Sequence, residues 1–301
     1  METSGYHLPV LLHEVIDLLN IRPDGTYVDA TFGGGGHSRA ILEKLGPDGR
    51  LIVFDQDEDA YANRIEDDRV TFVQQNFRHL QRFLRLHKAE PDGILADLGV
   101  SSHQFDTGAR GFSTRFDGPL DMRMDNRTEK TAAAILKTYP EKQLQLIFQE
   151  YGEVTNARTL AQTIVSLRKS NPMRTINEFK SMIQPIVKGN PAKYLAQVFQ
   201  ALRIEVNDEM GALKDLLEQS AAVLKPGALL SIITFHSLED RLVKNFMKNG
   251  SFEVQDDQNF LAETPPKVFK MVTKKPVTAT DAELKNNTRS RSAKLRVAQK
   301  L

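Results

Sequence analysis

The chain has 301 residues, 40% of them apolar and 26% charged, with no cysteine. That length exceeds the usual domain of about 100–150 residues, so one large α/β domain or a core carrying an inserted second domain is expected; the missing cysteine excludes disulfides, thiolate metal sites and cysteine nucleophiles. The net charge of +1 hides an asymmetry, because from Thr264 to Leu301 ten lysines and arginines face only Asp281 and Glu283, a local +8 against −7 for the remainder, and such a basic end points to an anionic partner, nucleic acid first. No basic-then-apolar leader opens the sequence, and the most apolar stretch, Ala221–Phe235, is broken at Lys225-Pro226-Gly227, short of the ~20 residues that span a bilayer, so a cytoplasmic protein without a membrane partner is expected.

Thr26–Ala30, Leu51–Phe54, Val70–Val73 and Gly93–Ala96 are short, β-rich apolar runs separated by helix-length segments. The first predicted helix, Gly36–Leu45, stops at Gly46-Pro47, and a later one, Phe77–Leu86, places Phe77, Leu80, Phe83 and Leu84 on one face. This βαβ rhythm predicts a parallel sheet covered on both faces. From about Asp106 to Arg203 it gives way to a Gly/Arg/Asp-rich loop and helical patterns over Glu129–Lys137, Glu141–Tyr151, Asn156–Lys169, Thr175–Val187 and Ala192–Val206, with Thr175 and Glu178 at capping-box spacing. A helix near Glu209–Leu224 and a strand at Ala228–Phe235 resume the alternation, and Lys267–Thr273 and Ala293–Val297 are closing strand candidates. The expected architecture is an α/β, Rossmann-like domain (residues 1–106 and 206–301, the second part ending in the basic segment) with an all-helical domain inserted at 107–205.

The segment Tyr27–His37 reads as strand, glycine turn, helix. Glycines let a ligand approach the main chain closely, and a helix N-terminus favours electronegative groups. Alone this is a generic nucleotide turn: the Walker ending is missing, and Gly33-x-Gly35-x-x-Ser38 lacks the last glycine of the dinucleotide fingerprint. Asp55, 22 residues after Gly33 at the end of the second strand, is placed to accept hydrogen bonds from ribose hydroxyls, with Asp57 available as the helix cap. Asn76-Phe77 ends the third strand with a polar group and an aromatic face, and Asp97 ends the fourth. Ligands of open α/β sheets gather at these carboxyl ends, and an aspartate with a polar loop at the fourth strand suits a transferred methyl better than a hydride. His37, in the first helical turn, has capping or packing as its alternative role, and no second ligand stands at metal spacing beside it.

Longer phrases carry a resemblance. His7-Leu-Pro-Val-Leu-Leu-His-Glu14, Asp29-Ala-Thr-Phe-Gly-Gly-Gly-Gly-His-Ser38, Asp92-Gly-Ile-Leu-Ala-Asp-Leu-Gly-Val-Ser-Ser102, Arg110-Gly-Phe-Ser113, Asp117-Gly-Pro-Leu-Asp-Met-Arg-Met-Asp125, Phe199-Gln-Ala-Leu-Arg-Ile-Glu-Val-Asn207 and Phe235-His-Ser-Leu-Glu-Asp-Arg241 follow one another along nearly the whole chain. In this the sequence resembles the bacterial small-subunit rRNA cytosine-N4 methyltransferases, the RsmH or MraW family. The resemblance implies a class I S-adenosylmethionine-dependent methyltransferase sheet with a helical insert, and methylation of one cytidine of 16S rRNA in the decoding region, on a 30S particle or an assembly intermediate. It further implies cofactor contacts at Gly35, Gly36, His37, Asp55, Phe77, Asp97 and Gln104. Asn286-Asn-Thr-Arg-Ser-Arg-Ser-Ala293 departs from the family's usual Asn-Pro-Arg-Ala-Arg-Ser, keeping both arginines and losing the proline that would stiffen the loop.

The cytosine amine is a poor nucleophile, so transfer needs in-line alignment and an acceptor for its proton. Asp97 is the first candidate and His236 the second, a helix start at Ser237 with Asp240 being the structural alternative for His236. The loop after Asp97 lacks the prolines and aromatic that amine-directed methyltransferases commonly place there, which leaves Phe235 or Phe112 to stack on the base. Cations for RNA phosphates are Arg110, Arg115, Arg123, Arg203, Arg289, Arg291, Lys294 and Arg296, although Asp121 and Asp125 equally read as clamps on Arg123 and Arg127. The rival readings are an NAD-dependent oxidoreductase of similar topology and a non-catalytic RNA-binding assembly factor.

Overall fold

The computed structural model describes residues 9–252 and 267–301; His7 and Leu8 of the first family-like phrase lie outside the described residues. Strands β1 (Thr26–Asp29), β2 (Arg50–Phe54), β3 (Val70–Val73), β4 (Gly93–Asp97), β5 (Leu229–Thr234), β6 (Phe269–Met271) and β7 (Lys294–Lys300) form one sheet in the order β3-β2-β1-β4-β5-β7-β6. Strands β1 to β5 are parallel, whereas β7 runs antiparallel between β5 and β6. Of the closing pair, β7 is longer than its pattern predicted and β6 shorter.

The central strands are apolar along their length because both faces are covered. Successive residues alternate between two cores: Val28, Ile52, Ile94 and Leu230 face one, with Leu80 and Leu216, while Tyr27, Leu51, Val53 and Leu95 face the other, with Leu11, Val15 and Ile41. Helices α1 (Leu12–Leu19), α2 (Gly36–Lys44), α3 (Glu58–Ala62) and α4 (Leu80–Leu86) accompany β1 to β4. The helix predicted from Phe77 begins instead as a tight 3-10 turn, Phe77–His79, because the Asn76 side chain accepts the Arg78 N–H and closes that turn first.

Two compact units result, Met1–Gly99 with Gly211–Leu301, and Val100–Met210. The second is helical, comprising α5 (Ser102–Asp106), α6 (Ala132–Thr138), α7 (Glu141–Glu150), α8 (Ala157–Leu167), α9 (Ile176–Ile183) and α10 (Pro191–Asn207). It has its own core, in which Leu136, Phe148, Leu160, Phe179 and Leu202 are fully buried. The chain then completes the sheet unit with α11 (Glu209–Val223), α12 (Ser237–Asn249) and α13 (Asp281–Asn286). None of the described helices is long and apolar enough to cross a membrane.

Winding proceeds from β1 toward β3 on one side and from β4 toward β5 on the other, so the order reverses between β1 and β4. The register aligns Asp29 with Leu95 and Asp97 with Ile233, bringing the carboxyl ends of β1, β4 and β5 to one edge. That crevice is where open sheets of this type bind ligands. Leu95, in the centre of β4, is 0% exposed; Leu95→Ala is expected to cost about 2–5 kcal/mol in urea unfolding with an unchanged m-value.

Candidate active site

In the first turn Gly33 and Gly35 have φ of 53° and 75°. Gly35 caps α2, and a Cβ there would meet the Phe32 ring at 2.7 Å, while one at Gly36 would collide with Pro9. The turn is therefore held close against its own neighbours, which is what its glycines permit. Behind it Asp29, 1% exposed, accepts the Ser38 hydroxyl at 2.6 Å and the Thr31 N–H at 3.1 Å. His37 is also buried: its Nε2 lies 3.0 Å from the Val10 carbonyl and so donates, leaving Nδ1 unprotonated 3.8 Å from Asp97 Oδ2. Burial holds this imidazole below its ordinary pKa, against the opposing charge of Asp29.

Asp55 sits beside the glycine turn and accepts the Gly33 N–H at 2.8 Å and the Asp57 N–H at 2.9 Å. Each oxygen keeps a lone pair for a ligand hydroxyl. Burial pushes this carboxyl up to about 6, with the two backbone bonds working the other way. Asp57 caps α3 through the Asp59 N–H, and Asn76 is committed both to its own turn and to Gln56, 3.0 Å away. Phe77 is half-buried, packed on the core under β2 and β3.

Asp97 has the least satisfied side chain of the strand ends. Its backbone N–H donates to Thr31 Oγ1 at 2.6 Å, while Oδ1 is buried without a hydrogen-bond partner. Burial raises its pKa well above the ordinary carboxylate value, and the charges of Asp29 and Glu239 add to the rise. Phe235 is half-buried at the end of β5, with its ring edge 3.5 Å from the position a Cβ on Gly99 would take, two residues beyond Asp97.

His236 takes a different place from that of a free proton acceptor. It is the N-cap of α12, its Nδ1 accepting the Glu239 N–H at 3.4 Å, while its Nε2, 3.1 Å from Glu239 Oε1, is buried without a hydrogen bond. An accepting Nδ1 places the ring proton on Nε2, which leaves no nitrogen to receive one from a substrate. The cap pair is thus His236 with Glu239, and Asp240 is released to hold Arg296 and Lys294.

Several expected RNA contacts turn inward. Arg296 is 5% exposed and donates to both oxygens of Asp240, at 2.7 and 3.2 Å, with Lys294 3.3 Å from the same carboxylate. In the helical unit Arg203 grips Glu209 with two bonds of 2.8 and 2.9 Å, and Arg123 grips Asp121 with two of 2.7 Å. Arg127 pairs likewise with Asp125, so both acids are clamps and not catalysts. Phe112 is buried in the helical core, directly after Gly111 with its φ of 78°. Arg110 donates to the Arg123 and Met124 carbonyls. Gln104 closes a capping box with Ser101, its side-chain carbonyl accepting the Ser101 N–H.

Arg115 is exposed, 5.7 Å over the Phe105 ring, and Arg291 is exposed; Arg289 is half-buried. The turn that carries the latter two is stiffened without a proline: Asn287 accepts the Arg289 N–H, and the Ser290 hydroxyl donates to the Asn287 carbonyl at 2.7 Å. Lys274 and Lys275, which the sequence reading did not single out, are exposed just beyond β6, in the stretch along β7 that leads to the bridge between Val277 and Leu295.

Five parallel strands with an antiparallel strand slotted before the last, and acids at the strand ends around a glycine turn, define a class I S-adenosylmethionine-dependent methyltransferase; the dehydrogenase sheet keeps the order 3-2-1-4-5-6. The chain belongs to the MraW methylase family, whose profile matches residues 4–301. It is 56% identical over 299 residues to a Bacteroides thetaiotaomicron protein named Ribosomal RNA small subunit methyltransferase H, covering 98% of this chain and 97% of that one. Relatives of the same name from Flavobacterium johnsoniae and Bacteroides fragilis are 52% and 54% identical, each with 99% of both chains covered.

The residues present fit the cofactor. The orphaned Asp97 Oδ1 and the buried acids Asp29 and Asp55 form an anionic cradle suited to a cationic sulfonium and a ribose diol. Protonation of Asp55 below about pH 6 removes an acceptor, so S-adenosylhomocysteine affinity measured calorimetrically is expected to be full above pH 7 and to fall through pH 6 and below; Asp55→Asn should remove that part of the pH dependence. Arg296→Ala leaves Asp240 half-paired in a largely buried site and is expected to cost about 2–3 kcal/mol of unfolding free energy, less than a fully buried pair because Lys294 remains, with no change in the salt dependence of RNA binding.

Proposed function

We propose that this enzyme methylates N4 of a cytidine in the decoding region of 16S rRNA, acting in the cytoplasm on a small-subunit particle or its assembly intermediate. The relatives' name supports the rRNA class, and the family-like phrases support the cytidine. The single observation that carries the chemistry is Asp97: a strand-end carboxylate of raised basicity whose Oδ1 has no hydrogen-bond partner, next to the loop that Phe235 borders.

S-adenosylmethionine would supply, when bound, an electrophilic methyl on a cationic sulfur, and would leave as the neutral thioether S-adenosylhomocysteine when the methyl–sulfur bond breaks. Asp97 Oδ1 accepts one amine hydrogen of the extruded cytosine, draws the N4 lone pair out of conjugation, and takes the proton as the N–C bond forms. Thr31 fixes the backbone of Asp97 for that role, and Phe235 offers a face for stacking. The helical unit serves RNA recognition through Arg115, Arg291 neutralises phosphates where β7 begins, at the Asp97 end of the sheet, and Lys274 and Lys275 do so alongside β7.

Asp97→Asn is expected to lower kcat by about 100-fold or more while S-adenosylhomocysteine still binds. Mass spectrometry of nucleosides from small-subunit rRNA should show N4-methylated cytidine with the protein and lose it without; its persistence would overturn the substrate assignment. Thermal stabilisation by NAD and not by S-adenosylhomocysteine would instead favour the oxidoreductase. Full complementation of a deletion strain by the inactive variant would favour an assembly factor.

A further inference from the structure

We infer that Phe116, in the helical unit, is a stacking platform for an unpaired base of the rRNA substrate, with Arg115 beside it for the adjoining phosphate. The inference deepens the reading that this unit recognises RNA, and it rests on that reading.

Among the described residues two phenylalanine or tyrosine rings are exposed, Phe116 at 46% and Tyr61 at 41%. Tyr61 keeps acidic company: Arg64, 4.7 Å over its ring, is paired with Glu66 at 2.7 Å, and Asp67 and Asp68 follow. Such a surface repels phosphates. Phe116 follows an arginine of another kind. Arg115 is exposed and lies 5.7 Å over the Phe105 ring, whereas Arg123 and Arg127 are each clamped by an aspartate two residues earlier. An aromatic face next to an exposed guanidinium suits a nucleotide, one taking the base and the other a phosphate.

A lone exposed apolar side chain needs no function. What sets Phe116 apart is that its loop is fastened on both sides of it. The Thr114 carbonyl accepts Lys180 Nζ at 3.1 Å, and the Asp117 carboxylate accepts the Asn177 N–H at 3.1 Å, both from α9. The Gly118 carbonyl then accepts the Ile176 N–H at 3.0 Å. Across the loop a Cβ on Gly118 would stand 2.3 Å from the Gly108 carbonyl, and one on Gly108 would stand 3.0 Å from the Phe116 Cβ. The same loop buries Phe112 to 8% exposure and holds Phe116 out. A ring fixed in solvent has already lost the backbone freedom that binding would otherwise cost. Asp117, the acid that adjoins it in sequence, is engaged by the Asn177 N–H, and Lys180 brings a second cation to the loop.

Kinetics on small-subunit particles lacking the methyl group test the platform. Phe116→Ala is expected to raise KM for the particle about 5- to 100-fold, the loss of one stacked base, with kcat within about threefold and S-adenosylhomocysteine affinity unchanged. Phe116→Tyr should keep the wild-type KM, and Phe116→Leu, apolar without a π face, should not. Arg115→Ala should lower the logarithmic salt slope of binding by about one, whereas Phe116→Ala should leave that slope in place. With p-benzoylphenylalanine in place of Phe116, irradiation is expected to cross-link the enzyme to 16S rRNA. An Ala or Leu variant with the wild-type KM, or cross-links to ribosomal protein alone, overturns the inference. No methylation of 16S rRNA by the wild-type protein in the same assay would instead remove the functional reading beneath it.

Discussion

The buried carboxylate of Asp29 is the point on which the crevice depends. It ends β1, holds α2 through the Ser38 hydroxyl and orients Thr31 through its N–H. Thr31 in turn accepts the backbone N–H of Asp97, so the neighbouring strand on the other side of the winding reversal is tied to the same acid. On the opposite flank, Asp55 ties the glycine turn to the end of β2. Each acid is raised by burial, with neighbouring carboxylates adding to the rise at Asp55 and Asp97, an arrangement that is costly in isolation and that a cationic ligand relieves. The fold thus stores its electrostatic strain in the crevice at the carboxyl ends of β1, β2 and β4.

Cations are divided by the same logic of burial. Arg203, Arg123 and Arg296 each meet a carboxylate in two-point geometry, and partly or fully buried guanidinium groups require such partners. Lysines and arginines on exposed turns, Lys274, Lys275, Arg115 and Arg291, carry the positive field outward. The +8 excess at the end of the sequence is consequently less available than its sum implies, since Arg296 and Lys294 neutralise Asp240 first.

The alternation of apolar runs with amphipathic segments made the parallel sheet legible, because each strand is buried on both faces and reads as a continuous run. Boundaries failed where side chains override periodicity, as at Phe77, where the Asn76 cap forces a 3-10 turn. The short β6 was hardest to read, being an edge strand of three residues paired on one side only. Asp97 and the glycine turn were visible because turn chemistry and strand ends leave local marks. Glu239 left none beyond its place in a helix start, and the capping role of His236 was hard to read because a histidine N-cap has no sequence signature.

Residue pattern by itself determined the α/β class, the glycine turn, the strand-end acids and, through long family-like phrases, the methyltransferase family. Tertiary structure alone decided which of those acids and bases are occupied. It gave Asp240 to Arg296, turned Phe112 into a core, set His236 as the cap of α12 and left Asp97 Oδ1 without a partner. Spacing along the chain records what a side chain can do, whereas pairing across 56 or more residues, as between Asp240 and Arg296, is set by how strands and helices meet.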